Sequence, residues 1–78
     1  MLFRSEKLPL LSGRKVAQAF VRLGWQVARQ RGSHIILVKA GHIASLSVPD
    51  HREVARGTLR SLLRSAGVEM NAFLKAVE

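Results

Sequence analysis

The chain has 78 residues, of which 47% are apolar and 23% charged, and it contains no cysteine. A chain of this length forms about one small domain, buries roughly 60% of its unfolded surface and excludes a large internal cavity. The lack of cysteine excludes disulfides, thiolate zinc sites, iron–sulfur clusters and a cysteine nucleophile. We expect one folded domain over residues 1–78 in a reducing, cytoplasmic environment.

The charge of the chain is strongly positive. Thirteen Lys and Arg against five Asp and Glu give a net charge of +8, and nine of the thirteen cations are arginine. Because a guanidinium binds phosphate oxygens through two parallel hydrogen bonds, this bias favours nucleic acid or an acidic protein as partner over an anionic membrane surface.

No apolar run approaches the roughly 20 residues that span a bilayer, and the first residues lack a signal-cleavage pattern, so we expect neither export nor insertion.

A first amphipathic helix is predicted for residues 12–24. Apolar side chains recur there at the spacing of one helix face, namely at Val16, Ala19, Phe20 and Leu23. Ser12 can cap the helix at its start, and Gly24 can adopt the left-handed conformation that ends a helix.

Three antiparallel strands are predicted next, for residues 25–30, 33–39 and 43–48, separated by turns at residues 31–32 and 40–42. Trp25 and Val27 are expected to share one face of the first strand. The middle strand is apolar on both faces, which is typical of a central strand. Pro49 lacks the N–H that a ladder needs and is expected to close the third strand.

A second helix is predicted after the loop at residues 49–57, with Thr58 as its N-cap and Gly67 at its end. Its apolar positions are Leu59, Leu62, Leu63 and Ala66. A short helical tail follows at Phe73, Leu74 and Val77. This order predicts a two-layer α+β domain with the helices on one face of the sheet, which leaves the other face for a partner.

The group with the clearest chemical potential is His34, at the start of the middle strand. Gly32 permits a tight turn, Ser33 offers a hydroxyl, and Arg29 and Arg31 supply positive charge. Histidine exchanges a proton near neutral pH, so these groups suit a phosphodiester whose cleavage without metal needs proton transfer and cations. A histidine at a strand start is also commonly structural or merely exposed, and the spacing by itself leaves both interpretations open.

A second candidate is a row of arginines at four-residue spacing: Arg52, Arg56, Arg60 and Arg64. The last three, and Arg52 if the helix starts early, would lie on one side of the second helix and could bind a phosphate backbone. An ordinary solvated helix face is the alternative. With only Glu53 nearby, the repulsion within the row favours a polyanion or an acidic partner.

Other site types are disfavoured. A metal site would need His34, His42 and His51, with or without Asp50, at separations that match no compact ligand motif. The sequence has no glycine-rich phosphate loop followed by lysine, no GxSxG motif and no pair of acids suited to two-carboxylate catalysis. With one Trp, three Phe and no Tyr, base stacking cannot be the main means of holding single strands. We therefore expect no metal and no cofactor.

Five segments together resemble the HicA family of bacterial toxins, which are small mRNA interferases: Leu11-Ser12-Gly13, Leu23-Gly24-Trp25, Arg31-Gly32-Ser33-His34, Val48-Pro49-Asp50-His51 and Gly57-Thr58-Leu59-Arg60. The resemblance covers residues 7–74. It implies a double-stranded-RNA-binding-domain-like αβββα fold, which the predicted short C-terminal helical tail follows. It also implies metal-independent mRNA cleavage and inhibition by a HicB-type antitoxin.

The resemblance also assigns roles to residues. His34 matches the catalytic histidine of the family, with Gly32 and Ser33 shaping its turn, and His51 lies where the family often has a histidine. Residues 1–6 lie outside the resemblance and could be disordered. The leading hypothesis is an endoribonuclease in which His34 exchanges a proton and arginines hold the RNA. A non-catalytic RNA-binding module of the same fold is the alternative, followed by a pure protein-interaction module.

Overall fold

The computed structural model describes residues 8–78, so the expectation of disorder in residues 1–6 lies outside the described part of the chain. The elements are α1 (Gly13–Arg22), β1 (Gln26–Arg31), β2 (His34–Val38), β3 (Leu46–Pro49), α2 (Arg56–Ala66) and α3 (Met70–Val77). The predicted α+β class and the αβββα order with a C-terminal helix are confirmed. Within residues 8–78, no helix has the length and apolar character that crossing a membrane requires.

The two ends of α1 follow the local signals in the sequence. The Ser12 hydroxyl accepts a hydrogen bond from the Lys15 backbone N–H at 3.1 Å, which satisfies one of the free donors of the first turn. The helix ends at Arg22, and Gly24 adopts a positive φ of 102° just beyond it. Both predicted helix signals are confirmed.

The sheet is antiparallel, with the order β1-β2-β3. Residues directly opposite each other in such a sheet share a face, so the register assigns each side chain to a side. One face is buried and consists of Ile35, Leu37, Leu46 and Val48. The helices pack on this face, while the face that carries His34 and Ile36 stays open, as predicted.

Several strand boundaries differ from the sequence prediction. β1 begins at Gln26, so Trp25 precedes the strand. Val27 pairs with Leu37 and so lies on the helix-packed face, the side on which Trp25 packs against Phe20, but Trp25 is buried there whereas Val27 is 54% exposed. A register shift between Val27 and Arg29 then interrupts the alternation of side chains along β1. β3 is shorter than predicted and includes Pro49, which an edge strand tolerates because a proline there need not donate to the ladder.

The second helix starts two residues before Thr58, so the prediction of Thr58 as N-cap is wrong. α2 begins at Arg56 after Ala55, which makes no side-chain cap bond. Its first turn closes when Leu59 N–H donates to Ala55 O at 2.9 Å. The end at Gly67, with a left-handed φ of 69°, is confirmed.

The C-terminal helix α3 completes the core. Phe73 is fully buried, with its ring centroid 5.3 Å from that of Phe20. Complete burial of such a side chain contributes about 1.5–3 kcal/mol. At the far end, the Arg22 guanidinium donates to Ala76 O at 2.7 Å, and a cation at the C-terminal carbonyls is favoured by the helix dipole. The predicted short tail is therefore a two-turn helix tied to α1.

Candidate active site

The candidate site is built around the two-residue turn between β1 and β2. Arg31 ends β1, His34 begins β2, and the two residues are direct cross-strand partners around Gly32 and Ser33. Gly32 has a φ of 56°, and glycine with positive φ at the first central position is favoured in type II′ hairpin turns. No atom lies near its missing Cβ, so the backbone angle and not crowding requires glycine here.

The register gathers the sequence-predicted residues on the open face. His34 pairs with Arg31 and with Pro49, while Ile36 in the next row pairs with Arg29 and Ser47. An open cavity of about 450 Å³ lies on this face and is lined by Arg31, Gly32, His34, Ile36 and Ser47. The structure thus brings His34, Gly32, Arg31 and, in the adjacent row, Arg29 together, with Ser33 exposed in the turn.

The charges of this face suit an anionic ligand. Among residues 8–78 the one ion pair joins Arg14 to Asp50, so within that range neither Arg29 nor Arg31 has a carboxylate partner. Both side chains are exposed, and a guanidinium offers five donors in a planar fork that matches phosphate. His34 is exposed beside them and can exchange a proton with a bound group.

Asp50 links the turn to the rest of the fold. Its backbone N–H donates to Ser33 O at 2.7 Å, and its Oδ2 accepts from Gln30 Nε2 at 2.9 Å. The same Gln30 amide lies 3.4 Å from Gly32 O. Arg14 Nε approaches Asp50 Oδ1 at 3.5 Å from the start of α1. The turn that carries His34 is therefore held at the Ser33 carbonyl by the Asp50 backbone and at the Gly32 carbonyl by the Gln30 side chain.

The other two histidines lie apart from the cavity. The His42 ring packs on Trp25, with 4.9 Å between ring centroids. His51 is exposed, and its backbone oxygen accepts a hydrogen bond from Gly13 N–H at 2.9 Å. In the part of the chain that the structure describes, no three His or acidic side chains cluster in a way that could hold a metal ion.

The arginine row of the second helix does not reach this face. α2 belongs to the helical layer, on the buried side of the sheet, whereas His34 lies on the open side. Arg56 Nε donates to Leu8 O at 2.6 Å, so this side chain already has a protein partner. Arg60 and Arg64 are exposed on α2, and Arg52 lies in the loop before the helix.

Sequence reasoning missed three side chains at this site: Ser47 in the cavity, and Gln30 and Asp50 behind the turn. In β3, Ser47 is exposed between the buried Leu46 and Val48, so it faces away from them. Only the strand register shows that Ser47 lies one row from His34. The Gln30–Asp50 bond joins residues 20 positions apart and has no local sequence signal.

Comparison with known proteins identifies the family. A family model described as "HicA toxin of bacterial toxin-antitoxin" matches residues 13–68, from the start of α1 to just beyond α2. No curated protein matches the chain. The matched range contains the whole sheet, the turn before His34 and the loop between β3 and α2 that begins with Asp50. The chain therefore belongs to the HicA toxin family, and its function is that of a toxin in a toxin–antitoxin system.

Proposed function

We propose that this toxin is a metal-independent endoribonuclease whose active site is the cavity on the open face of the sheet. The observation that carries the proposal is the placement of His34, which is exposed and lines a cavity together with Arg31 and Ser47. A binding module needs arginines but no titrating side chain at that position. The HicA family, whose members are in general mRNA-cleaving toxins, supports the same interpretation.

The chemistry needs two proton transfers and one site of charge stabilisation. The 2′-oxygen of a ribose forms a bond to the adjacent phosphorus and loses its proton, while the bond to the 5′-oxygen breaks and that oxygen gains a proton. His34 serves one of these transfers, and water serves the other. Arg31, directly opposite His34, stabilises the negative charge that develops on the phosphoryl oxygens.

The remaining groups position the substrate. Arg29, one row from His34, binds the adjacent phosphate, and the Ser47 hydroxyl can bond to a ribose or phosphate oxygen. Ile36, which pairs with both Arg29 and Ser47, provides an apolar surface in the cavity. Ser33 and Gly32 present the turn to the RNA backbone, whose approach is easiest where no side chain intervenes.

We further propose that the antitoxin is a HicB-type acidic protein that binds over His34 and the open face. A net charge of +8 on 78 residues attracts an acidic partner and speeds its capture of the toxin at low salt. The sheet is a packed layer, so rigid docking and not refolding of the toxin is expected. Amide exchange of the complex tests this: protection over residues 31–36 is expected, and full exposure there would require inhibition from a distance.

The activity itself is tested with purified toxin, a defined RNA and excess EDTA. The expected result is cleavage that leaves a 2′,3′-cyclic phosphate and a 5′-hydroxyl, since the attacking oxygen is the 2′-hydroxyl. The same RNA with 2′-O-methyl groups is the matched control and should bind without being cut. Binding of unmodified RNA without cleavage would instead favour the RNA-binding module.

A further inference from the structure

We propose that Asp50 is a positioning residue for the cleavage reaction. Its carboxylate and its backbone N–H together hold the turn that aims His34 into the cavity. Asp50 itself is not among the residues that line the cavity, so it acts through the turn. The inference rests on the proposed function and adds a residue that the family match does not single out.

The backbone half of this arrangement lies at the end of β3. Pro49 pairs with His34 in the register but has no N–H to donate. The next residue supplies the missing donor, because Asp50 N–H bonds to Ser33 O at 2.7 Å. This bond ties the residue immediately before His34 to the neighbouring strand.

The side-chain half acts on the other side of the turn. Asp50 Oδ2 accepts from Gln30 Nε2 at 2.9 Å, and the same amide group lies 3.4 Å from Gly32 O. Gln30 therefore bridges the carboxylate to the turn carbonyl. A hydrogen bond to an ionised acceptor is stronger than a neutral one, so the carboxylate fixes the Gln30 amide more firmly than a neutral oxygen would.

The loop that carries Asp50 is itself fixed against α1. Gly13 N–H donates to His51 O at 2.9 Å, and a Cβ at Gly13 would overlap Pro49 O. The side chain of Asp50 is only 20% exposed, whereas its ion-pair partner Arg14 is 81% exposed. The backbone that carries the carboxylate is thus fixed by its contacts with α1, and the exposed Arg14 contributes little to holding the carboxylate itself.

Loss of the side-chain oxygen that accepts from Gln30 should separate turnover from binding. A displacement of about 1 Å in a reacting group can lower the rate about 100-fold, so a looser turn should reduce kcat. Removal of one negative charge from a basic chain does not weaken its attraction to RNA. A general folding defect would instead lower turnover and binding together.

The experiment compares Asp50→Ala and Asp50→Asn with Glu53→Ala, which removes the same charge from the same loop. Asp50→Ala should lower kcat about 10- to 100-fold with KM and RNA affinity unchanged or improved. Asp50→Asn should retain most of the activity, because its amide oxygen still accepts from Gln30. Gln30→Ala should resemble Asp50→Ala, and the double variant should be no worse than either alone.

A second readout does not depend on activity. Amide exchange at His34 and at position 50, whose N–H donates to Ser33 O, should be faster in Asp50→Ala than in the wild type or in Glu53→Ala. Unchanged exchange and an unchanged kcat in a folded Asp50→Ala protein would overturn the proposal, as would equal losses in Asp50→Ala and Glu53→Ala. Disappearance of one ionisation from the pH–rate profile of Asp50→Asn would also overturn it, by making Asp50 a reacting group. A wild-type toxin that cuts no RNA would refute the proposed function. The exchange rates would then still show whether the Asp50 side chain holds the turn.

Discussion

Arg31 and His34 are direct cross-strand partners on the open face of the sheet, with only Gly32 and Ser33 between them in the chain. A guanidinium and an imidazole are thereby placed side by side through the pairing of their backbones. Both side chains remain free to meet a ligand. The geometry of the turn therefore controls the geometry of the proposed reaction.

The first prediction concerns the backbone of this turn. Gly32→Ala should lower the free energy of unfolding by about 1–2 kcal/mol, because alanine is strained at the positive φ of Gly32. The single-turnover rate of cleavage should also fall under conditions in which the variant stays folded, since His34 lies two residues away. Denaturant titration and single-turnover kinetics measure the two effects.

Gly57→Ala is the matched control for Gly32. Gly57 lies in the first turn of α2 with open space at its missing Cβ and no positive φ, so alanine there should leave stability unchanged or raise it, by at most about 0.5–1 kcal/mol. If both substitutions had the same effect on stability and cleavage, the turn would have no special conformational requirement.

The second prediction concerns Arg56, whose Nε donates to Leu8 O. Arg56→Ala should lower the free energy of unfolding by about 1–2 kcal/mol, because a charged donor is removed and a partly buried carbonyl is left without its partner. Arg60→Ala, one turn along the same helix, should change stability by less than about 0.5 kcal/mol. Thermal or urea unfolding of the two variants distinguishes a structural arginine from a solvated one.

The third prediction concerns RNA affinity. Arg60 and Arg64 are exposed on α2, away from the cavity, so they should contribute to binding more than to turnover. Removing an arginine that neutralises one phosphate should flatten the log–log salt dependence of single-strand binding by roughly 0.7. Unchanged slopes in both Arg60→Ala and Arg64→Ala would show that the row faces solvent.

Arg31→Ala provides the contrast for that series. It should flatten the salt slope by a similar amount and also lower kcat, because Arg31 is placed opposite His34. An Arg31→Ala variant with normal kcat and weakened binding would remove Arg31 from the reaction and leave it as an RNA contact.

Local signals in the sequence predicted the elements well. Ser12 and Gly67 mark helix ends through short-range hydrogen bonding and backbone conformation, which a single sequence displays. The prediction failed at Thr58 because a favourable capping residue type does not decide where a helix starts. Here the chain enters α2 from an isolated bridge between Leu11 and Val54, which fixes its path before Ala55.

The candidate site was only partly predictable, for a related reason. His34 and the residues beside it in the chain could be named as candidates from the sequence, since a turn and its neighbours are close in sequence. Strand register, which depends on long-range packing, puts Ser47 one row from His34 and brings Asp50 into a hydrogen bond with Ser33. The hydrogen bond of Arg56 to Leu8, 48 residues away, likewise could not be inferred from the four-residue spacing of the arginines.

The most direct test of the central claim is the single-turnover cleavage rate of His34→Gln in EDTA, beside His51→Gln. Both histidines are exposed, but only His34 lines the cavity. His34→Gln should keep its fold and its RNA affinity while its rate falls by about 10²–10⁴-fold, the usual worth of general acid–base catalysis. His51→Gln should cleave at the wild-type rate. Undiminished cleavage by folded His34→Gln would contradict the account.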